Sequence, residues 1–286
     1  MGRGTRSAIA LLVSAAVIGG GIWGVQKYID ESQTLVVVQC ATTVGGIKHT
    51  LDPEQAGNAA TIAAVAVGRE LPSRATSIAL ATAYQESKLR NLDYGDTAGP
   101  DSRGLFQQRP SQGWGTQAQV MDPVYAAGAF FDELVTFDYR SMSVTQAAQK
   151  VQRSAFPDAY AQHEDRGKAF ASALTGQSPA AMTCTLRRTS GAVDASTVAA
   201  QIKHEFGSKT FAPSVQADIV SVPVKDDTHG WALAQWAVAH AQRDQTVSVS
   251  YGGLTWTRAQ GAWKPSEVAA GAKSVAIQVA TKAEQG

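Results

Sequence analysis

Glu86 is the residue of this chain whose neighbours best suit proton transfer. It stands in Ala83-Tyr84-Gln85-Glu86-Ser87-Lys88-Leu89, at the end of an apolar helical pattern, and eighteen positions later comes Gly104-Leu105-Phe106-Gln107-Gln108-Arg109-Pro110. A glutamate near a helix end is ordinarily a solvated charge. Beside Ile78, Leu80 and Tyr84, however, its carboxyl is expected to titrate high enough to stay protonated and to hand a proton to a leaving oxygen. Gln107 and Gln108 carry amides that can hydrogen-bond hydroxyls or other amides. Trp114, within Gln-Gly-Trp-Gly, offers an indole that either stacks on a ligand face or packs its own loop. Tyr160 is read as a hydroxyl facing the site or as a core aromatic. Asp93, Asp96 and Asp101 are read either as turn residues or as a second carboxylate beside Glu86.

Other chemistries find no suitable residues. The histidines His49, His163, His204, His229 and His240 form no H-x-x-x-H or H-x-H pair, so the sequence predicts no metal site. It predicts no cofactor either: there is no G-x-S-x-G turn and no phosphate-cradling glycine loop, and neither cysteine has the setting of a catalytic thiol. A net charge of +1 leaves no excess of Lys and Arg to neutralise phosphates, which argues against a nucleic-acid partner. With 44% hydrophobic and 17% charged residues the chain is expected to fold rather than remain disordered.

Helices must position these groups. Asp52-Pro53 is an N-cap followed by proline at the first helical position, with an Ala, Val and Ile run to about Arg69. Pro72 ends that run, and Ser73 starts the helix that carries Glu86. Asp122-Pro123 repeats the signature before Tyr125 to Val135. Ser143 with Gln146 forms a capping box before Ala147, Ala148 and Val151, and a last helix, Asp158 to Leu174, stops near Gly176. Between Leu89 and Gly115 the period disappears, and a long irregular stretch inside a compact domain is usually functional or disordered. Residues 176 to 196 read as a linker around Cys184. Beyond it Val215 to Val224 alternates as one strand, Trp231 to His240 is an apolar helix, Val247 to Thr257 is a hairpin turning at Gly252-Gly253, and Ser274 to Ala280 is a strand.

The amino terminus suggests export. Ala8 to Val25 is uncharged and follows Arg3 and Arg6; eighteen residues give about 27 Å of helix, near the thickness of a bilayer core. It reads as a transmembrane signal anchor, with a cleaved signal peptide or a core helix as the other readings. The anchor reading makes a single-pass cell-membrane protein, with its amino terminus cytoplasmic and its later domains extracytoplasmic. Cys40 and Cys184, both beyond that segment, are expected to pair in an oxidising compartment rather than to be two unrelated thiols. The expected fold class is α+β: 1–33 for the tip, anchor and tether, 34–185 for a mainly helical domain, 186–196 for a linker, and 197–286 for a small α+β accessory domain.

The Glu86-Ser87 dipeptide, the Gly104-Leu105-Phe106-Gln107 turn, and the later Met121-Asp122-Pro123 and Ala126-Ala127-Gly128 together resemble the lytic transglycosylase branch of the lysozyme-like fold over about residues 52 to 174. That family's Asp-Pro-x-x-Asn helix lacks its Asn here. Its downstream Ala-Tyr-Asn-Ala-Gly stretch is also absent, and Val151 to Tyr160 stand in its place, as in an exported subgroup of lysozyme-like cell-wall proteins. The resemblance implies a lysozyme-like helical domain that cleaves β-1,4 MurNAc-GlcNAc bonds of peptidoglycan through one catalytic glutamate, Glu86, with Ser87, Gln107, Gln108, Trp114 and Tyr160 as substrate-binding residues. A catalytically inactive peptidoglycan-binding or envelope scaffold protein is the alternative. The last domain resembles, faintly, a small domain related to zinc DD-peptidases. With no histidine after His240 it would be metal-free, and it is expected to contact an envelope protein partner, its tryptophans Trp231, Trp236, Trp256 and Trp263 forming its core rather than a ligand platform.

Overall fold

In a computed structural model of the protein, residues 36–97, 99–153, 158–266 and 273–281 are described. The expected membrane segment, Ala8 to Val25, lies outside the described residues, as do Ser154 to Pro157 of the stretch before Tyr160. Among the described residues no helix is long and apolar enough to cross a membrane.

The fold is α+β. Strands β1 (Gln39–Val44) and β2 (Ile47–Leu51) form a hairpin, and β3 (Met182–Thr185) adds to it, giving an antiparallel sheet in the order β2-β1-β3. Between β2 and β3 run helices α1 (Pro53–Gly68), α2 (Ser73–Ser87), α3 (Gln117–Met121), α4 (Pro123–Leu134), α5 (Val144–Gln152) and α6 (Glu164–Leu174). Then come α7 (Ala195–Phe206), β4 (Ser214–Gln216), β5 (Ile219–Pro223), α8 (Asp227–Ala239), β6 (Thr246–Tyr251), β7 (Leu254–Thr257), β8 (Ala262–Pro265) and β9 (Ser274–Val279). The last six strands form one antiparallel sheet ordered β4-β5-β9-β6-β7-β8.

Local signals fix the helix starts. Asp52 accepts from the N–H of Gln55 while Gln55 answers the N–H of Asp52, a closed capping box at the start of α1. Asp122 caps α4 through Val124 N, and Ser143 caps α5 in a second such box with Gln146. Departures from the expected elements have equally local causes. The Val215 to Val224 run is two strands, because Ala217 takes a positive φ of 54° in the turn at Ala217-Asp218. The β1–β2 hairpin and β8 are short and alternate weakly, whereas α7 carries a helical period in Ala195, Val198, Ala199, Ile202 and Phe206 behind an Asp194 cap and runs from the end of the expected linker toward the first expected strand.

The disulfide is present. Cys40 on β1 stands opposite Cys184 on β3 and is bonded to it, joining residues 144 positions apart across adjacent strands. The stretch around Cys184 therefore contains a paired strand, and the residues after it are docked: Leu186 is buried, Arg258 Nε donates to the carbonyl of Arg187, and Val193 N donates to that of Ala280.

α1 is the centre of the packing. Ten of its residues from Ala56 to Val67 are buried, most of them alanine, and small side chains let α2, α4, α7 and α8 all approach. A Cβ on Gly68 would come within 1.9 Å of the carbonyl oxygen of Phe206, so only glycine permits that contact with the end of α7. Residues 38–286 accordingly form one compact unit, and the helical portion shares its core with the carboxy-terminal portion. Trp236 and Trp256 are among the most deeply buried side chains, and Trp231 packs edge-on against Tyr251 and Trp263.

Candidate functional site

Glu86 lies one residue before the end of α2, and the end of that helix is gripped by the beginning of α1. Lys88 and Leu89 turn through the left-handed region, at φ 56° and 59°, which leaves their carbonyls without helical partners. Gln55 Nε2 donates to Lys88 O at 2.8 Å and Asn58 Nδ2 to Leu89 O at 2.7 Å. Arg90 then pairs with both Asp52 and Glu54. The capped start of one helix thus fixes where the next one stops.

The turn after Glu86 is tied to the same place. Residues 103–108 form a tight loop closed by an Arg103–Gln108 bridge, and Gly104 bridges Leu92. Gly104 sits at φ 78°, and a Cβ there would meet Val120 O at 2.1 Å. Ser87 Oγ lies 2.7 Å from Leu105 O and 3.0 Å from Ala83 O, so it pins the turn to α2. Phe106 stacks on Phe130 of α4, with ring centroids 4.7 Å apart.

Above this base the Glu86 carboxyl is half-buried and Tyr160 Oη donates to its Oε1 at 2.7 Å. Burial pushes the Glu86 pKa up; hydrogen bonds from Tyr160 and from the Gln152 amide pull it down, the Asp96 charge raises it and the Lys88 charge lowers it, and burial prevails. Gln152, from the last turn of α5, also donates to Phe106 O at 2.8 Å. It borders a groove of about 670 Å³ that includes Trp114, Tyr125, Arg109, Glu133 and Arg153.

The expected site residues therefore divide. Glu86 and Tyr160 are joined directly, and Trp114 lies in the adjacent groove while also packing on the core. Gln107, at a positive φ of 49°, is half-buried at the tip of the turn, with its amide 3.3 Å from Gly104 O. Ser87 and Gln108 point inward: Ser87 is buried, and Gln108 is 2% exposed and donates to Ala126 O on α4 at 3.0 Å. Both hold the turn in place. Gln152 and Asp96 had not been singled out as partners of Glu86; the first sits in the Val151 to Tyr160 stretch that already stood out, and the second among the three loop aspartates.

Those aspartates also separate by environment. Asp101 is committed to Arg109 at 2.9 Å and to the N–H of Ser111 at 2.9 Å, and Ser111 followed by Arg109 holds its carboxyl well below the usual range. Asp96 accepts from Gly99 N at 2.8 Å as a turn residue, and it is the one whose charge acts on Glu86. Among the described residues no group of three His, Cys, Asp or Glu side chains is arranged to hold a metal ion. A larger cavity, about 1010 Å³, lies against the open face of the carboxy-terminal sheet; neither it nor the 670 Å³ groove is lined by Glu86 or Tyr160, and Gln152 is what links Glu86 to the groove.

No protein-family model matches this chain, and no curated protein matches it in sequence. Fold and site define it as an α+β protein in which a half-buried, hydrogen-bonded glutamate is fixed at a helix end beside a groove.

Proposed function

We propose that the protein cleaves the glycan strands of peptidoglycan at β-1,4 MurNAc-GlcNAc bonds, as a lytic transglycosylase-like muramidase of the lysozyme-like fold, with Glu86 as its catalytic residue. The observation that carries this reading is the Glu86 carboxyl, whose pKa burial raises and which the Tyr160 hydroxyl holds in one orientation at 2.7 Å. A glycosidic oxygen leaves readily only when it receives a proton as the C1–O bond breaks, and a protonated carboxyl supplies one near neutral pH. In the proposed reaction Glu86 gives its proton to the departing GlcNAc oxygen while positive charge builds at C1 of the MurNAc ring. The resulting carboxylate then takes the proton from that ring's 6-hydroxyl as its oxygen bonds to C1. The products are a free 4-hydroxyl and a 1,6-anhydro end, and no water is consumed.

One carboxyl suffices for this route. Asp101, bound to Arg109 and Ser111, is poorly placed to serve as a second. Trp114 supplies an aromatic wall to the groove, and the half-buried Gln107 stands at the tip of the 103–108 turn. The reading includes export: the Cys40–Cys184 bond forms and persists in an oxidising compartment, which agrees with an extracytoplasmic location for residues 38–286 behind the Ala8 to Val25 anchor, and with peptidoglycan as partner. Incubating the full-length chain with purified peptidoglycan and weighing the released fragments tests it. Anhydro-ended fragments, lost in Glu86→Gln, are the expected result; hydrolysed ends would indicate a second carboxylate, and no release would leave a glycan-binding or envelope scaffold role.

A further inference from the structure

Two cations near the site share one aromatic ring, and among the described residues neither is in a salt bridge. The Arg166 guanidinium lies 4.4 Å from the centroid of the Tyr84 ring, and the Lys88 ammonium 5.2 Å from the same centroid. Tyr84 and Lys88 are four residues apart at the end of α2 and so meet on one side of it, whereas Arg166 comes from α6, the helix packed most extensively on α2. The His163 ring is tilted against Tyr84 at 4.9 Å, and its Nε2 lies 2.8 Å from Gln85 Oε1. Burial, with the Lys88 and Arg166 charges, pushes His163 down to about 4, so at neutral pH this imidazole adds no third charge.

Among the described residues neither Lys88 nor Arg166 has a carboxylate within ion-pair distance. Of the acids of α6, Glu164 pairs with Lys168 at 2.5 Å, and Asp165 makes no ion pair with Arg166 among the described residues. An arginine and a lysine steadied by one ring, without an internal counter-ion, form an electropositive seat for an external oxyanion. Tyr160, which donates to Glu86, and His163, which bonds Gln85 and packs on Tyr84, lie just before Arg166 along the end of α2. The Lys88 charge acts on Glu86, so an anion seated there belongs to a molecule that also reaches Glu86.

We propose that Lys88 and Arg166, with Tyr84 between them, bind a carboxylate on a side substituent of the glycan cleaved at Glu86, namely the peptide arm of peptidoglycan. This rests on the glycan-cleavage reading, and a binding assay separates the two. The full-length Glu86→Gln protein is sedimented with three preparations: sacculi with intact peptide arms, glycan from which an amidase has removed the peptides, and sacculi freed of wall phosphate by acid. Removing the peptides should weaken binding about threefold to tenfold, as expected for partly exposed charge-assisted contacts. Removing phosphate should leave it unaltered, and adding Lys88→Gln with Arg166→Gln should erase the difference between peptide-bearing and peptide-free glycan. Equal binding to both glycans, a loss that follows phosphate instead of peptide, a preference that persists in the double variant, or no binding to any preparation would overturn the proposal. The cleavage assay with the unsubstituted protein answers separately: peptide-dependent binding without fragment release would sink the enzymatic reading and keep the carboxylate seat.

Discussion

At Glu86, burial and hydrogen bonding act on one proton in opposite directions. The hydroxyl of Tyr160 favours the charged carboxylate, so Tyr160→Phe removes a downward pull and raises the Glu86 pKa further. Because the proposed reaction starts from the protonated acid, activity falls as pH rises through that pKa, and the alkaline limb of kcat/KM for glycan cleavage should move to higher pH. A hydrogen bond to a charged carboxylate is worth about 1.5–3 kcal/mol, which bounds the movement at about one to two pH units. The same titration can be followed by 13C NMR of the Glu86 carboxyl, and a limb that stays in place would show that Tyr160 does not act on the proton. Residue type alone did not mark Glu86 or Tyr160, since a glutamate at a helix end is ordinarily a solvated charge and a tyrosine as readily a core aromatic; the motifs around Glu86 and their family resemblance did. Residue type could not separate Gln107 from Gln108 either: adjacent amides in a tight turn point in different directions, and only the packing of Phe106 on Phe130 turned Gln108 inward to Ala126.

At the level of elements, the site depends on a turn that must be held against two helices. Gly104 is its weakest point to substitution, since alanine would combine a left-handed backbone with a Cβ placed 2.1 Å from Val120 O. Gly104→Ala is expected to cost about 3 kcal/mol or more in urea unfolding and to lower cleavage beyond the loss of folded protein, because Ser87 would lose its hold on Leu105. Full stability in this variant would mean that the turn can be reshaped freely. Helix starts were legible because a cap is a contact between residues two or three apart: Asp52 with Gln55, Asp122 with Val124, Ser143 with Gln146. The β1–β2 hairpin was not, since its residues alternate weakly and β1 becomes a central strand only when β3 arrives from the far side of six helices.

Across the whole molecule, the two portions that differ in sequence character meet around one buried acid. Glu205 on α7 accepts from Trp236 Nε1 at 2.7 Å, from Thr61 Oγ1 at 2.9 Å and from Arg243 at 3.1 Å, while His240 lies alongside at 3.8 Å. His240, Arg243, Trp236 and Thr61 hold Glu205 below the usual range despite its burial. Thr61→Val removes a donor to a buried charge and should cost about 1.5–3 kcal/mol. In its urea denaturation the helical and carboxy-terminal portions should unfold together, so probes on Trp114 and Trp256 should give coincident curves, whereas separate transitions would sink the idea of a shared core. The sequence by itself determined the starts of α1, α2, α4 and α5, the hairpin at Gly252-Gly253 and the pair of cysteines able to bond, because each follows from residue type or from contacts within about four positions, whereas the expected Asp158 to Leu174 helix begins only at Glu164. The tertiary structure alone decided that Tyr160 reaches Glu86 across 74 positions, that Ser87 and Gln108 serve the turn across 18, and that Thr61 joins Glu205 across 144. The direction a polar side chain takes depends on which apolar surfaces close around it, and those surfaces come from parts of the chain too distant for any local pattern to bring together.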